Sequence, residues 1–338
     1  MRFLLVHPAF LGDTVFLGPA VRALKARWPD GRVGVVVSPR GEAVARQMPG
    51  VDEVFVFDKR KRDAGLRGIL RLGARLRTFR PDVALVSHPS TRSGVVAWLS
   101  RAPRRIGYAP LCNDRLTLDR GRPFIDRSLR LAERAGAPAA GRDLRLDPPP
   151  EQASYAEETL RGLQGPVVGL VPGAEWGTKR WGEARYADLA RRLSATGASL
   201  VVLGGPADRE LSRAIAAGSG APLRDTTGNS IAEALALLAR CDLVIGGDTG
   251  LVHCARALGR PTLLLFGPTD PARHVLAERE RVLRVPLECS PCHGHGPERC
   301  PLGHHRCMTD LQVAEVERQA RALLSMEAGN GAGGRAGA

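Results

Sequence analysis

Residues 2 to 7 (RFLLVH) form a short apolar run at the head of the chain. Such a run is too short for a membrane span and reads as a strand buried on both faces. A glycine-containing loop follows, and apolar positions then recur with helical spacing from Thr14 to Arg27. Pro29-Asp30-Gly31 is a turn signal, and the apolar run Arg32 to Val37 comes directly after it. Val51 to Phe57 and Val83 to Ser87 are further strand candidates, with arginine-rich helices between them. From 137 to 165 the pattern weakens around Pro138, Pro148, Pro149, Pro150 and the nearby Pro166, which predicts an inter-domain connection.

The alternation then restarts. Strands are expected at Val167–Val171, Ser199–Leu203, Leu243–Ile245 and Thr262–Phe266. Helices are expected at Glu183–Thr196, from Asp208, at Ile231–Arg240 and at Gly250–Leu258, with a last amphipathic helix over Asp310–Met326. Strands alternating with helices predict parallel α/β sheets. The expected division is an N-terminal domain over 1–155, a C-terminal domain over 156–318, and a tail over 319–338. The tail comprises the end of the last helix and a Gly/Ala-rich segment, 329–338, whose composition predicts disorder. Open parallel sheets bind ligands at the carboxyl ends of their strands, so two such domains facing each other would make a cleft suited to a two-substrate transfer.

Composition narrows this little. The chain has 338 residues, enough for about two domains, with 43% hydrophobic and 25% charged positions. Its formal charge of +14 favours anionic partners such as nucleotides, phosphorylated glycolipids, the inner leaflet or nucleic acid, and is equally compatible with a solvated arginine-rich surface. No segment approaches a membrane span, and the N-terminus lacks a signal-peptide pattern, so the expected location is cytoplasmic, with peripheral contact to the inner face of the inner membrane compatible with the charge.

Three stretches carry candidate chemistry. In His7-Pro8-Ala9-Phe10-Leu11-Gly12-Asp13, Gly12 permits close approach, and Asp13 reads either as a helix cap or as a general base. In Pro172-Gly173-Ala174-Glu175-Trp176-Gly177-Thr178-Lys179-Arg180-Trp181, a glycine-punctuated loop after a strand offers backbone N–H groups and a lysine to a diphosphate; the alternative is a solvated basic loop. The spacing of a P-loop is absent. In Gly246-Gly247-Asp248-Thr249-Gly250-Leu251-Val252-His253, a glycine-rich loop meets a helix start, where free amides favour phosphate. A lone histidine such as His253 is more often structural.

Taken together, the stretches LGDTVFLGPAVRALKARWP, GLVPGAEWGTKRWGEARYADLARRL and DLVIGGDTGLVHCARALGRPTLLLFGPTDPARH resemble glycosyltransferase family 9, the bacterial heptosyltransferases of the lipopolysaccharide inner core. The resemblance covers nearly the whole chain, and the combination of D-T-G-x-x-H with F-G-P-T-D-P is its most specific part. It implies a GT-B fold, two Rossmann-like parallel-sheet domains facing a central cleft, with acceptor on the first and nucleotide sugar on the second. It implies an inverting, metal-independent transfer of heptose from ADP-heptose, with no required cofactor. Asp13 then matches the base and Lys179 the phosphate-binding lysine. Gly12, Pro172, Gly173, Thr178, Asp248, Thr249, Gly250 and His253 match the substrate-binding loops. Asp208, in the Leu203–Asp208 loop, is the nearest carboxylate to the position of a ribose-binding glutamate. The form Pro8-Ala9-Phe10-Leu11-Gly12-Asp13 leans to the second-heptose type and lacks the serine that members often carry there. No Asp-x-Asp occurs, in keeping with transfer without metal. The implied partners are the nucleotide-sugar donor and a phosphorylated lipid A-core acceptor, with a monomer the simplest state.

Cys289, Cys292, Cys300 and Cys307, interleaved with His293, His295, His304 and His305, form a candidate structural zinc site; the alternative is reduced thiols, or a disulfide pair that a cytoplasmic location disfavours, bracing a long loop. Among rival functions, an epimerase or another nucleotide-sugar transferase shares the architecture. A dinucleotide oxidoreductase would want G-x-G-x-x-G after the first strand, and it is absent. A nucleic-acid-binding protein, suggested by the charge and by the arginine-rich stretch Lys59–Arg80, lacks a recognisable module.

Overall fold

The apolar run at the head of the chain becomes β1 (Arg2–His7), with Phe3, Leu4, Leu5 and Val6 all buried. Burial of successive residues puts both faces of the strand in the core, as a sheet covered by helices on each side requires. In the computed structural model, which describes residues 1–334, the chain divides into two compact units. The first is Met1–Asp147 with Ala272–Val275; the second is Pro148–Pro271 with the described residues from Leu276 onward.

In the first unit β1 is followed by α1 (Leu11–Val15), α2 (Gly18–Arg27), β2 (Arg32–Val37), α3 (Glu42–Arg46), β3 (Glu53–Val56) and α4 (Gly65–Phe79). Then come β4 (Val83–Val86), α5 (Thr91–Leu99), β5 (Arg104–Gly107), β6 (Asp114–Arg115) and α6 (Phe124–Ala135). The six strands lie in the order β3-β2-β1-β4-β5-β6, and every neighbouring pair is parallel. Leu4 sits opposite Gly34 on one side and Ala84 on the other. Leu72, Leu76 and Phe79 of α4 close one face over Leu4, Val6 and Val36.

The second unit repeats the plan. Its elements are α7 (Ala153–Leu160), β7 (Val167–Val171), α8 (Glu183–Ser194), β8 (Ser199–Val202), α9 (Arg209–Ser219), β9 (Leu223–Asp225) and α10 (Ile231–Leu238). They continue with β10 (Leu243–Gly247), α11 (Gly250–Ala257), β11 (Thr262–Phe266), β12 (Glu280–Arg284), α12 (Arg306–Thr309) and α13 (Val313–Gly334). The strand order β12-β11-β10-β7-β8-β9 is the first unit's order read from the other edge, and again all pairs are parallel. Both sheets therefore have the doubly wound order. The strand order reverses beside the first strand of each unit, between β1 and β4 and between β7 and β10, where such sheets open a ligand crevice.

The structure changes several expectations. The helix expected over Thr14–Arg27 is two helices, α1 and α2, because Pro19 has no N–H to give to the preceding turn. The strands β5, β6, β9 and β12 are absent from the sequence reading. They are short and polar, and β5 (RRIG) buries only its last two residues. Residue 155 falls inside α7, so a boundary there would cut a helix; the units change between Asp147 and Pro148. The last helix passes Met326 and runs to Gly334, since each further residue adds a hydrogen bond and no proline stops it. The rest of the segment expected to be disordered, 335–338, lies outside the described residues. No described helix is long and apolar enough to cross a membrane.

Candidate active site

Asp13 stands in the first turn of α1, three positions past the N-cap Phe10, so it is not the cap residue; its side chain is about a quarter exposed. Gly12 beside it is buried. His7 ends β1, and its Nε2 lies 3.8 Å from an Asp13 carboxylate oxygen. The other ring nitrogen, Nδ1, is 2.6 Å from Ser87 Oγ just beyond β4. That contact ties the carboxyl ends of β1 and β4 together at the point where the sheet reverses. His88 follows, its Nδ1 3.0 Å and 3.2 Å from the hydroxyls of Ser90 and Ser93 at the start of α5. Burial holds the Arg127 guanidinium below its ordinary range, while the charge of Asp13 works against that shift.

In the second unit the corresponding point is the end of β7 and β10. Lys179 Nζ donates to Asp248 Oδ2 at 2.7 Å and to the Asp248 carbonyl at 3.1 Å. Both side chains are about nine-tenths buried. Thr269 and His253 also meet that carboxylate: the Thr269 hydroxyl donates to Oδ2 at 2.8 Å, and His253 Nε2 is 2.9 Å from Oδ1. Arg256 Nη1 donates to His253 Nδ1 at 3.2 Å, which places the imidazole proton on Nε2, facing Asp248. Arg256 in turn donates through Nη2 to Glu280 Oε2 at 2.9 Å, and the Ala277 N–H reaches the same oxygen at 2.9 Å. A buried relay thus runs Lys179–Asp248–His253–Arg256–Glu280. Burial lowers the His253 pKa below its ordinary 6.5, with the Asp248 hydrogen bond and charge opposing; Arg256 and Lys179 add to the lowering. The ring is neutral near neutral pH.

Backbone proximity makes this possible. A Cβ on Gly247 would stand 2.7 Å from the Lys179 carbonyl oxygen, so only glycine lets the lysine loop lie against the end of β10. Gly173 serves Asp208 in the same way, since a Cβ there would meet Asp208 Oδ1 at 2.3 Å. Asp208 Oδ2 accepts the Gly205 N–H at 2.8 Å, so this carboxylate shapes the loop after β8. Pro172 is buried beside Gly173. Thr249 is the N-cap of α11 and makes no side-chain cap bond, and the amides from Gly250 onward begin the helix without helical partners. Trp181 belongs to the core, its indole N–H on the Leu311 carbonyl at 3.0 Å.

The cysteine-bearing segment packs on these loops. Thr178 Oγ1 donates to the Pro297 carbonyl, His305 Nε2 is 2.7 Å from the Thr178 carbonyl, and a Cβ on Gly296 would touch Lys179 Cγ at 3.2 Å. On its other side the Cys292 N–H bonds the Pro268 carbonyl at 3.0 Å, and Ser290 Oγ donates to the Gly267 carbonyl at 2.6 Å. Cys289, Cys292, Cys300 and Cys307 are free thiols, with Cys289 Sγ 3.9 Å from His304 Nε2. A tetrahedral zinc site needs sulfurs about 3.8 Å apart, as Zn–S bonds near 2.3 Å dictate. Among the described residues these four provide no group of three donor atoms within 4.8 Å of one another. The contacts of the segment tie the Thr178–Lys179 loop to the loop that follows β11.

A family model, glycosyltransferase family 9 (heptosyltransferase), matches residues 69–300, which contain Lys179 and the Asp248–His253 loop. The chain belongs to glycosyltransferase family 9. It is similar to lipopolysaccharide heptosyltransferase 2 of Salmonella typhimurium, 29% identical over 349 residues, spanning 97% of this chain and 99% of that one. It is also similar to lipopolysaccharide heptosyltransferase 1 of Pseudomonas aeruginosa, 30% identical over 311 residues and 86% of each chain. Among solved structures, Escherichia coli ADP-heptose lps heptosyltransferase II aligns with a TM-score of 0.79 and 27% identity, over 97% of this chain and 99% of that one. The α/β fold with parallel sheets expected from the sequence is the fold found, and the chain is a glycosyltransferase.

For a family 9 enzyme, sequence reasoning left several neighbours unnamed: Ser87, Arg256, Glu280, and Thr269 as a partner of Asp248. Thr269 carried a signal, since it sits in the F-G-P-T-D-P loop directly after β11, the neighbour of β10. Ser87 had a weaker one as the residue ending an apolar strand. Arg256 and Glu280 had none.

Proposed function

We propose that this family 9 enzyme transfers heptose from ADP-heptose to the inner core of lipopolysaccharide, as the second-heptose type. The observation that carries the reading is Lys179, presented by Asp248 beside the start of α11. An ammonium has three protons, and Asp248 takes two of them. The third, with the amides that open α11, suits the oxygens of a diphosphate, whose charge grows as the bond to the sugar breaks. This stabilisation asks for no metal. Thr249, Gly250 and His253 shape the diphosphate end, and Pro172, Gly173 and Thr178 hold the facing loop.

Asp13 is the proposed base, taking the proton of the acceptor hydroxyl as its oxygen attacks the anomeric carbon. A single displacement of this kind inverts the configuration and needs no glycosyl-enzyme intermediate. His7, held by Ser87, brings its Nε2 to 3.8 Å from that carboxylate, beside the buried Gly12. The acceptor is a phosphorylated glycolipid, and the relatives of both the second and the first heptose type support that class. A second reading keeps the fold and the diphosphate site but changes the nucleotide sugar. It is favoured by Asp208, the candidate ribose contact, because one of its oxygens already serves the Gly205 N–H.

Calorimetric titration with ADP, UDP and GDP in the presence of a chelator separates these. Tightest binding of ADP, weakened about tenfold or more in Lys179→Ala and unchanged in Asp13→Asn, is the expected result, with transfer lost in both. Preference for UDP or GDP would move the donor; binding indifferent to Lys179 would overturn the site.

A further inference from the structure

Helix α4 has an unusual outer face. At about 100° per residue, Leu66 and Leu70 fall roughly 40° apart, and Arg67, Arg71 and Arg75 form the adjoining stripe. The opposite side, with Leu72, Leu76 and Phe79, is sealed in the core. Leu66 is 74% exposed and Leu70 46% exposed. The turn before it, Lys59-Arg60-Lys61-Arg62, is fastened alongside. Arg71 Nη2 donates to the Arg62 carbonyl at 2.7 Å, and Gly68 lets the helix start lie directly on the backbone of Asp63. Asp63, the one acidic residue between Lys59 and Arg80, is buried and accepts the Asp58 N–H. Arg62 pairs with it at 3.4 Å, whereas Lys59, Arg60, Lys61, Arg67, Arg71 and Arg75 are exposed and have no ion pair among the described residues.

We propose that this face of α4, with the basic turn before it, docks the enzyme on an anionic lipid bilayer. Unpaired cations beside a leucine edge match such an interface, where phosphates take the charges and the first methylenes of the acyl chains take Leu66 and Leu70. A nucleic acid would satisfy the arginines and leave the leucines in water. The proposal goes beyond the transfer reaction and can fail without it, because it concerns a surface remote in sequence from Asp13 and Lys179.

The test is co-sedimentation of the full chain with phosphatidylcholine vesicles, with and without about one-third phosphatidylglycerol. Binding to the anionic vesicles only, weakening as salt is raised, is expected. Arg67→Gln/Arg75→Gln should weaken it about thirtyfold, at roughly fivefold per surface charge. Leu66→Ser/Leu70→Ser should weaken it about tenfold or more, with ADP affinity unchanged in both variants as a check that they fold. Equal binding to neutral vesicles, no binding to either, or insensitivity to the leucine pair would overturn the proposal. Binding of duplex DNA that is lost with the arginines and indifferent to the leucines, in a chain that ignores vesicles, would reassign the surface to nucleic acid.

Discussion

Replacing Arg256 by methionine isolates the far end of the buried relay. Arg256 is 1% exposed and Glu280 6% exposed, so removing the cation strands a carboxylate that has only the Ala277 N–H left. Breaking a buried pair from one side costs about 3–5 kcal/mol. The lost hydrogen bond to His253 Nδ1 adds about 1 kcal/mol. For a unit of this size that corresponds to a fall of roughly 8–24 °C in Tm. Differential scanning calorimetry near neutral pH reads it directly. Glu280→Gln in the same chain removes the stranded charge while keeping an acceptor for the Ala277 N–H. Arg256→Met/Glu280→Gln should therefore recover more than half of the loss, leaving a deficit of about 1–2 kcal/mol from the histidine side. If the double variant melts no higher than the single one, the cost came from lost packing of the arginine stem. The electrostatic account of the relay would then be wrong.

Three further outcomes are expected. Burial lowers the His253 pKa, so below about pH 6.5 the unfolded chain takes up a proton that the folded chain resists, and stability falls as pH drops. The difference in Tm between the wild type and His253→Gln should shrink between about pH 7.5 and 5.5, and a constant difference would refute this. Gly247→Ala puts a methyl group 2.7 Å from the Lys179 carbonyl, which must shift. A loss of about 1–3 kcal/mol in stability and weaker ADP binding should follow, measured by urea unfolding and calorimetry. Ser87→Ala removes the 2.6 Å partner of His7 and should lower kcat roughly fivefold while ADP affinity stays unchanged; a parallel loss of ADP affinity would count against a role confined to Asp13.

The central strands were legible because parallel sheets covered on both faces write themselves as unbroken apolar runs: RFLLVH and TLLLF could hardly be anything else. The edge strands escaped because an edge needs little burial, and LRD or ERVLR carries no period to detect. The same contrast holds at the site. Lys179 and the Asp248–His253 loop were visible as a strand, a glycine loop and a helix start, each a local signal. That Asp248 holds the lysine is a pairing across 69 residues, and only folding creates it. Arg256 lies within an ordinary helical stretch, and its partner Glu280 opens an edge strand that the sequence did not announce. The cap reading of Asp13 failed for a local reason: the helix starts three residues earlier than the cap would need, with Phe10 as its N-cap.

The doubly wound order also sets a timetable for synthesis. In each sheet the strand made first ends in the middle, so its second neighbour is among the later ones to leave the ribosome. Backbone at Arg2 waits for Asp82, 80 residues on, and backbone at Val167 waits for Asp242, 75 residues on. At about 5–20 residues per second, each nascent central strand keeps one apolar edge unpaired for roughly 4–16 s. Those two intervals are when the growing chain is most open to pairing with the wrong strand, and when a chaperone that shields strand edges would raise its yield most.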